Sequence, residues 1–96
     1  MSLTNPYVGL TPRKMSKEEI VRAIRQDIIA ELDAINLYQA HIDAIDDERV
    51  KKVLIHVRDD EKDHVGDFLA LLKLLDPEQV KFLEEGAKDV SEVLEK

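Results

Sequence analysis

At 96 residues the chain is one small domain, and its 14 Lys+Arg against 21 Asp+Glu leave a formal charge of −7 that repels nucleic acid and anionic lipid and attracts cations. With 44% hydrophobic and 36% charged residues it is too apolar for disorder and charged enough to stay in solution. The lack of Cys excludes disulfides, thiolate zinc sites, iron–sulfur clusters and cysteine nucleophiles, and points to a cytoplasmic setting.

Met1 to Lys14 carries two prolines and a glycine and has no long apolar block of the signal-peptide kind, so residues 1–15 are expected to form a flexible N-terminal arm. Ser16 stands three residues ahead of Glu19, the capping-box spacing, which starts a first helix near Lys17. From there to Ile45 no Gly or Pro intervenes, and Ile20, Ile24, Ile28, Ile35, Tyr38, Ile42 and Ile45 recur at helical spacing. Asp46-Asp47 then supplies a turn and a new N-cap, with Glu48 where the helix dipole favours negative charge. The second helix carries the stripe Val50, Val53, Leu54, Val57, Phe68, Leu71, Leu72 and Leu75, and Asp76-Pro77 ends it. Asp76 with Gln79 caps a third, shorter helix, which Gly86 is expected to divide and which is expected to act as a peripheral brace.

No strand alternation or internal repeat appears, and the longest apolar run, Phe68 to Leu72, is far short of the ~20 residues that span a bilayer. The fold class is therefore all-α. Residues 16–96 form a long antiparallel two-helix hairpin with a short C-terminal helical brace. Two helices cannot bury a core alone, and the off-stripe apolar residues Val21, Ile29, Leu32, Ile55 and Leu69 point to association between chains.

Polar residues interrupt the apolar stripes. At ~100° per residue, with Val50 at zero, Glu61 falls at about 20° and His64 at about 320°; with Ile20 at zero, Glu31 falls at about 20° and Tyr38 at about 0°. Glu31 and Glu61 each climb roughly 21–23 Å from the turn at ~1.5 Å per residue, so they meet at one level. Arg22, Arg25, Lys51, Lys52, Arg58 and Lys62 all fall on flanks or outward, which leaves the carboxylates without basic partners. A stranded carboxylate costs several kcal/mol and must take a proton or a cation. A Glu-x-x-His pair by itself is ordinarily solvated surface. Mid-stripe placement, a partner Glu at matching height and the missing counter-charge turn this pair into a metal-site candidate. Two hairpins paired into four helices bring four Glu and two His into one layer, enough to neutralise two divalent ions, which is the four-helix di-iron carboxylate arrangement.

Tyr38 fits either an ordinary core aromatic or a hydrogen-bond donor to a liganding Glu. Asp27 fits either a place on the ion's route to the site or the watered outer end of its stripe, and the latter is preferred. His41 and His56 lack a Glu at the metal-site spacing and are assigned to the surface. Asp59, Asp60, Asp63 and Asp67 form a solvated acidic face, from which Asp60 could orient His64.

The stretch Ile29-Ala30-Glu31-Leu32-Asp33-Ala34-Ile35-Asn36-Leu37-Tyr38, followed by Asp60-Glu61-Lys62-Asp63-His64, resembles the encapsulated ferritin-like proteins, relatives of ferritin and rubrerythrin with half the usual bundle. The likeness covers about residues 17 to 80, including Asp76-Pro77-Glu78-Gln79. It implies a chain that dimerises into a ferritin-like four-helix bundle, a ferroxidase centre shared by the dimer, a ring-like assembly of dimers, and residence inside an encapsulin shell in the cytoplasm where iron is mineralised. By position, Glu31, Glu61 and His64 match the family's metal ligands and Tyr38 a tyrosine beside the site. Ala30, Asp33 and Leu37 depart from residues that some members carry for an auxiliary iron site. Standalone cargo members usually end in a shell-docking tail, which is not read after Glu95-Lys96, and other members are fused ahead of the shell protein; the resemblance leaves both a standalone chain and a domain of such a fusion open.

The expected function is oxidation of Fe(II) to Fe(III), with two Fe ions per dimer, Glu61 of each chain bridging and Glu31 and His64 closing each ion's shell. Carboxylate and imidazole suit Mn and Zn as well. Two alternatives stand beside it: a non-catalytic helical adaptor whose polar layer fixes pairing register, and a rubrerythrin-like peroxide reductase served by an external electron donor.

Overall fold

The computed structural model describes residues 13–96; most of the expected N-terminal arm lies outside them. Three helices follow in order, α1 (Lys17–Ala44), α2 (Glu48–Leu75) and α3 (Pro77–Leu94). Each start is written locally. Ser16 accepts from the Glu19 amide while the Glu19 side chain accepts from the Ser16 amide, the reciprocal capping box expected from the spacing. Asp47 accepts from the amides of Arg49 and Val50, and Asp76 from that of Gln79, with Pro77 in the first turn.

Arg13 reinforces the first cap with bonds of 3.0 and 2.6 Å to the two carboxylate oxygens of Glu19. That pairing, with the Ser16 amide, lowers the Glu19 carboxyl from the ordinary 4.5 to about 2. A depressed carboxyl contributes stability that is fully present above its ordinary value and is lost as pH falls through the depressed one. The wild-type helix is therefore expected to loosen between 4.5 and about 2 by an increment that Glu19→Gln lacks. Paired acid titrations followed by circular dichroism check this, and identical curves would remove the cap from the acid response.

The three-residue link Ile45–Asp47 folds α2 back antiparallel along α1, and the two helices make the hairpin on which the site depends. Its core is thin. Among the described residues only Ile42 and Leu72 are buried, whereas Ile29, Leu32, Leu37, Val50, Val53, Ile55 and Leu71 remain exposed. Helices of this length gain most of their stability from packing an apolar face, and one hairpin leaves much of that face in water.

α3 differs from expectation in two respects. It runs unbroken through Gly86, which has no left-handed φ and where an added Cβ would stand in open space. A mid-helix glycine costs ~1 kcal/mol relative to alanine, which good helix formers on either side absorb, and it ends a helix only when the backbone turns left-handed. Its contact with the hairpin of its own chain is concentrated in its first turn. Arg25 on α1 donates to Asp76 Oδ2 (2.5 Å) and Gln79 Oε1 (3.3 Å), pinning the α2–α3 corner, and from Lys81 onward every residue is exposed. The described residues accordingly span 50 × 45 × 21 Å, and Phe82, Leu83, Val90, Val93 and Leu94 face solvent.

Candidate metal centre

Glu31 projects from the middle of α1 and Glu61 from the middle of α2, and the short turn sets them at one level as the residue count requires. His64 stands one turn farther along the Glu61 face. His64 Nδ1 lies 3.5 Å from Glu31 Oε1 and 3.5 Å from Glu61 Oε2. The donor atoms of all three residues fall within 4.8 Å of one another, the one such group found among the described residues. A separation of 3.5 Å exceeds the ~2.7–3.2 Å of a good hydrogen bond. It suits two ligands sharing one ion with bonds of ~2.0–2.2 Å.

Burial divides the three. The side chains of Glu31 and Glu61 are 18% and 20% exposed, while that of His64 is 47% exposed. Glu31 Oε2 is sealed from solvent and has no hydrogen-bond partner. A buried charged oxygen without a donor is among the costliest groups a fold can hold. The basic side chains do not relieve it: Arg13, Arg25, Arg49 and Arg58 pair with Glu19, Asp76, Asp47 and Asp59. A cation at the point where the three donors converge would satisfy the orphaned oxygen, so the residues present fit a metal ion.

The remaining sequence candidates separate clearly. Tyr38 is half-buried on the Glu31 face of α1, and among the described residues its hydroxyl makes no hydrogen bond to either glutamate. Asp27 and His41 are exposed, as assigned. Asp60 faces His56, 3.5 Å away, and so does not orient His64. Ala30, Asp33 and Leu37 are exposed and bring no further carboxylate pair to the site.

Arg58, expected on a flank or outward, is only 19% exposed and reaches across to α1, where Nη1 donates to Gln39 Oε1 at 2.8 Å. Its place at about 80° on the helical wheel, on the side of α2 that faces α1, carries that signal, but only once the hairpin's hand is known.

Comparison with known proteins gives a consistent result. A family model described as EncFtn-like matches residues 11–93. The "Encapsulin nanocompartment cargo protein EncC" of Myxococcus xanthus is 51% identical over 88 residues, which cover 92% of this chain and 68% of that protein. A "Ferritin-like-encapsulin shell fusion protein" of Pyrococcus furiosus is 47% identical over 89 residues, 93% of this chain but 26% of the fusion, so the chain spans about a quarter of that relative. The crystal structure of an encapsulated ferritin domain from Pyrococcus furiosus superposes with a TM-score of 0.85 at 47% identity, covering 95% of this chain and 94% of that domain.

Proposed function

The chain belongs to the EncFtn-like family, and from that premise we propose that it is a ferroxidase, binding Fe(II) as substrate between two copies of itself and oxidising it to Fe(III). One observation carries the reading: Glu31, Glu61 and His64 converge on a half-buried face where a carboxylate oxygen is left without any partner. Each chain brings two carboxylates and one imidazole. A pair of chains brings four negative charges, the charge of two divalent ions, so the layer is neutral only when both ions are held.

The open side of the site favours the pairing. Val53, His64 and Leu71 line one exposed edge of α2, so the face that completes the ligand set also buries apolar surface when a second hairpin packs on it. The exposed apolar faces of α3 and of the opposite side of the hairpin supply further contacts for a ring-like assembly of such dimers. Each Fe(II) gives up one electron. Dioxygen accepting two electrons and two protons leaves as hydrogen peroxide, or accepting four of each leaves as water. Glu61 of each chain would be shared between the two ions, Glu31 and His64 would complete the ligand set of each, and Tyr38 would lie on the same face of α1 as Glu31. Manganese and zinc are compatible with the same donors, so redox chemistry and supply select iron. The product Fe(III) leaves for a mineral store; the names of the relatives, an encapsulin nanocompartment cargo protein and a ferritin-like–encapsulin shell fusion, support an encapsulin shell as its setting. No described helix is long and apolar enough to cross a membrane.

Oxygen consumption on adding Fe(II) tests the proposal. The protein is expected to consume oxygen well above the rate of free ferrous iron, whereas an adaptor that uses its polar layer only for register would add nothing. His64→Ala is expected to slow oxidation by about 10-fold without abolishing it, because it removes a neutral ligand and leaves the four charges in place. Loss equal to that of a glutamate variant would contradict this division of roles.

A further inference from the structure

Arg58 is the cation best placed to disable the site, and it is held away from it. It precedes Glu61 by one helical turn, the spacing at which Cβ atoms lie ~5–6 Å apart and Arg–Glu pairs form readily. A guanidinium swung onto Glu61 would supply the positive charge that the layer otherwise takes from metal. Instead each of its nitrogens is engaged elsewhere. Nη1 donates to Gln39 Oε1 at 2.8 Å, and Nε and Nη2 donate to Asp59 Oδ1 at 3.1 and 2.9 Å. Gln39 is itself anchored, its Nε2 donating to Asp43 Oδ1 at 2.9 Å. On the helical wheel Asp59 lies ~100° to one side of Arg58 and Glu61 ~60° to the other, so the Asp59 bonds draw the guanidinium around α2 in the direction opposite to the carboxylate.

We propose that Gln39 and Asp59 form a tether that holds Arg58 off Glu61 and thereby keeps the carboxylate free for a divalent cation; the inference rests on the metal-site reading above. Gln39 and Arg58 are positioning residues in this scheme, touching neither iron nor oxygen. A neutral amide suits the role because it orients the guanidinium without adding a charge that would compete for the metal.

Calorimetric titration of Co(II) into the full chain tests the tether independently of turnover, using wild type, Gln39→Met, Arg58→Gln and the double variant Gln39→Met/Arg58→Gln, with Glu61→Ala as the control for the site. Gln39→Met is expected to bind Co(II) about fivefold more weakly, because a partly exposed ion pair must break first. Arg58→Gln and the double variant are expected to bind as wild type or more tightly. Wild-type affinity in Gln39→Met, or no recovery in the double variant, would overturn the tether. If Gln39→Met does not fold, Arg58→Gln decides alone: undiminished affinity supports the tether, and weakening of about tenfold or more makes Arg58 a support of the site and overturns it. Wild-type binding by Glu61→Ala is a separate outcome, and it would remove the metal site itself.

Discussion

Replacing Glu61 with alanine is expected to abolish rapid iron oxidation and to end any dependence of chain association on metal. The reason is charge. With all four carboxylates present, two divalent ions make a neutral layer; without the two Glu61 side chains, the same ions carry an excess of two positive charges in a partly desolvated place. Two dications ~4 Å apart repel by about 17 kcal/mol at an effective dielectric constant of ~20, and a carboxylate spanning them is the group that offsets this most directly. The variant can still hold one ion through Glu31 and His64, but a single ion supplies one electron and leaves dioxygen without the second. Oxygen uptake, Co(II) titration and native mass with and without chelator report these consequences separately. Oxidation at the wild-type rate would defeat the assignment of Glu61, and metal-independent oligomers with oxidation lost would confine the ions to chemistry and leave assembly to the apolar faces.

Local signals in the sequence account for the helices and for the clustering of Glu31, Glu61 and His64. Ser16 with Glu19, Asp47, and Asp76 with Pro77 mark the starts by side-chain capping that involves only near neighbours, and each cap forms as the spacing requires. Glu31, Glu61 and His64 were legible for a different reason: an acidic residue amid an apolar stripe conflicts with the pattern around it, and helical rise alone places two such residues at equal height. What escaped depends on contacts between elements. Arg25 reaches the α2–α3 corner at Asp76, a pair 51 residues apart that no window of the chain reveals. Arg58 looks like any flanking arginine until Gln39 is seen opposite it. Gly86 was overvalued because glycine weakens a helix without necessarily ending it. Of the five off-stripe apolar residues, Ile29, Leu32 and Ile55 are exposed, whereas Val21 and Leu69 are half-buried within the single hairpin.

Glu31→Leu is expected to make the metal-free chain more stable and at the same time to end its stabilisation by metal. Glu31 Oε2 is buried without a partner, so in the absence of a cation the wild-type chain carries an uncompensated penalty. A buried acceptor left unsatisfied costs about 1–3 kcal/mol, and a leucine of similar volume removes that cost. The remaining 18% exposure of Glu31 and its distant contact with His64 place the gain at the low end of that range. A gain of about 1 kcal/mol raises the melting temperature of a domain this size by about 4–8 °C. Wild type, in contrast, gains about 2.7 kcal/mol per site when metal is supplied at 100 times its dissociation constant. The order of stability should therefore reverse: the leucine variant melts higher in chelator, and wild type melts higher in saturating Co(II). A variant that melts lower than wild type in chelator would mean that Glu31 is already satisfied without metal, through a protonated His64 or a carboxyl proton. The stranded carboxylate, from which the need for a cation follows, would then be lost as a premise.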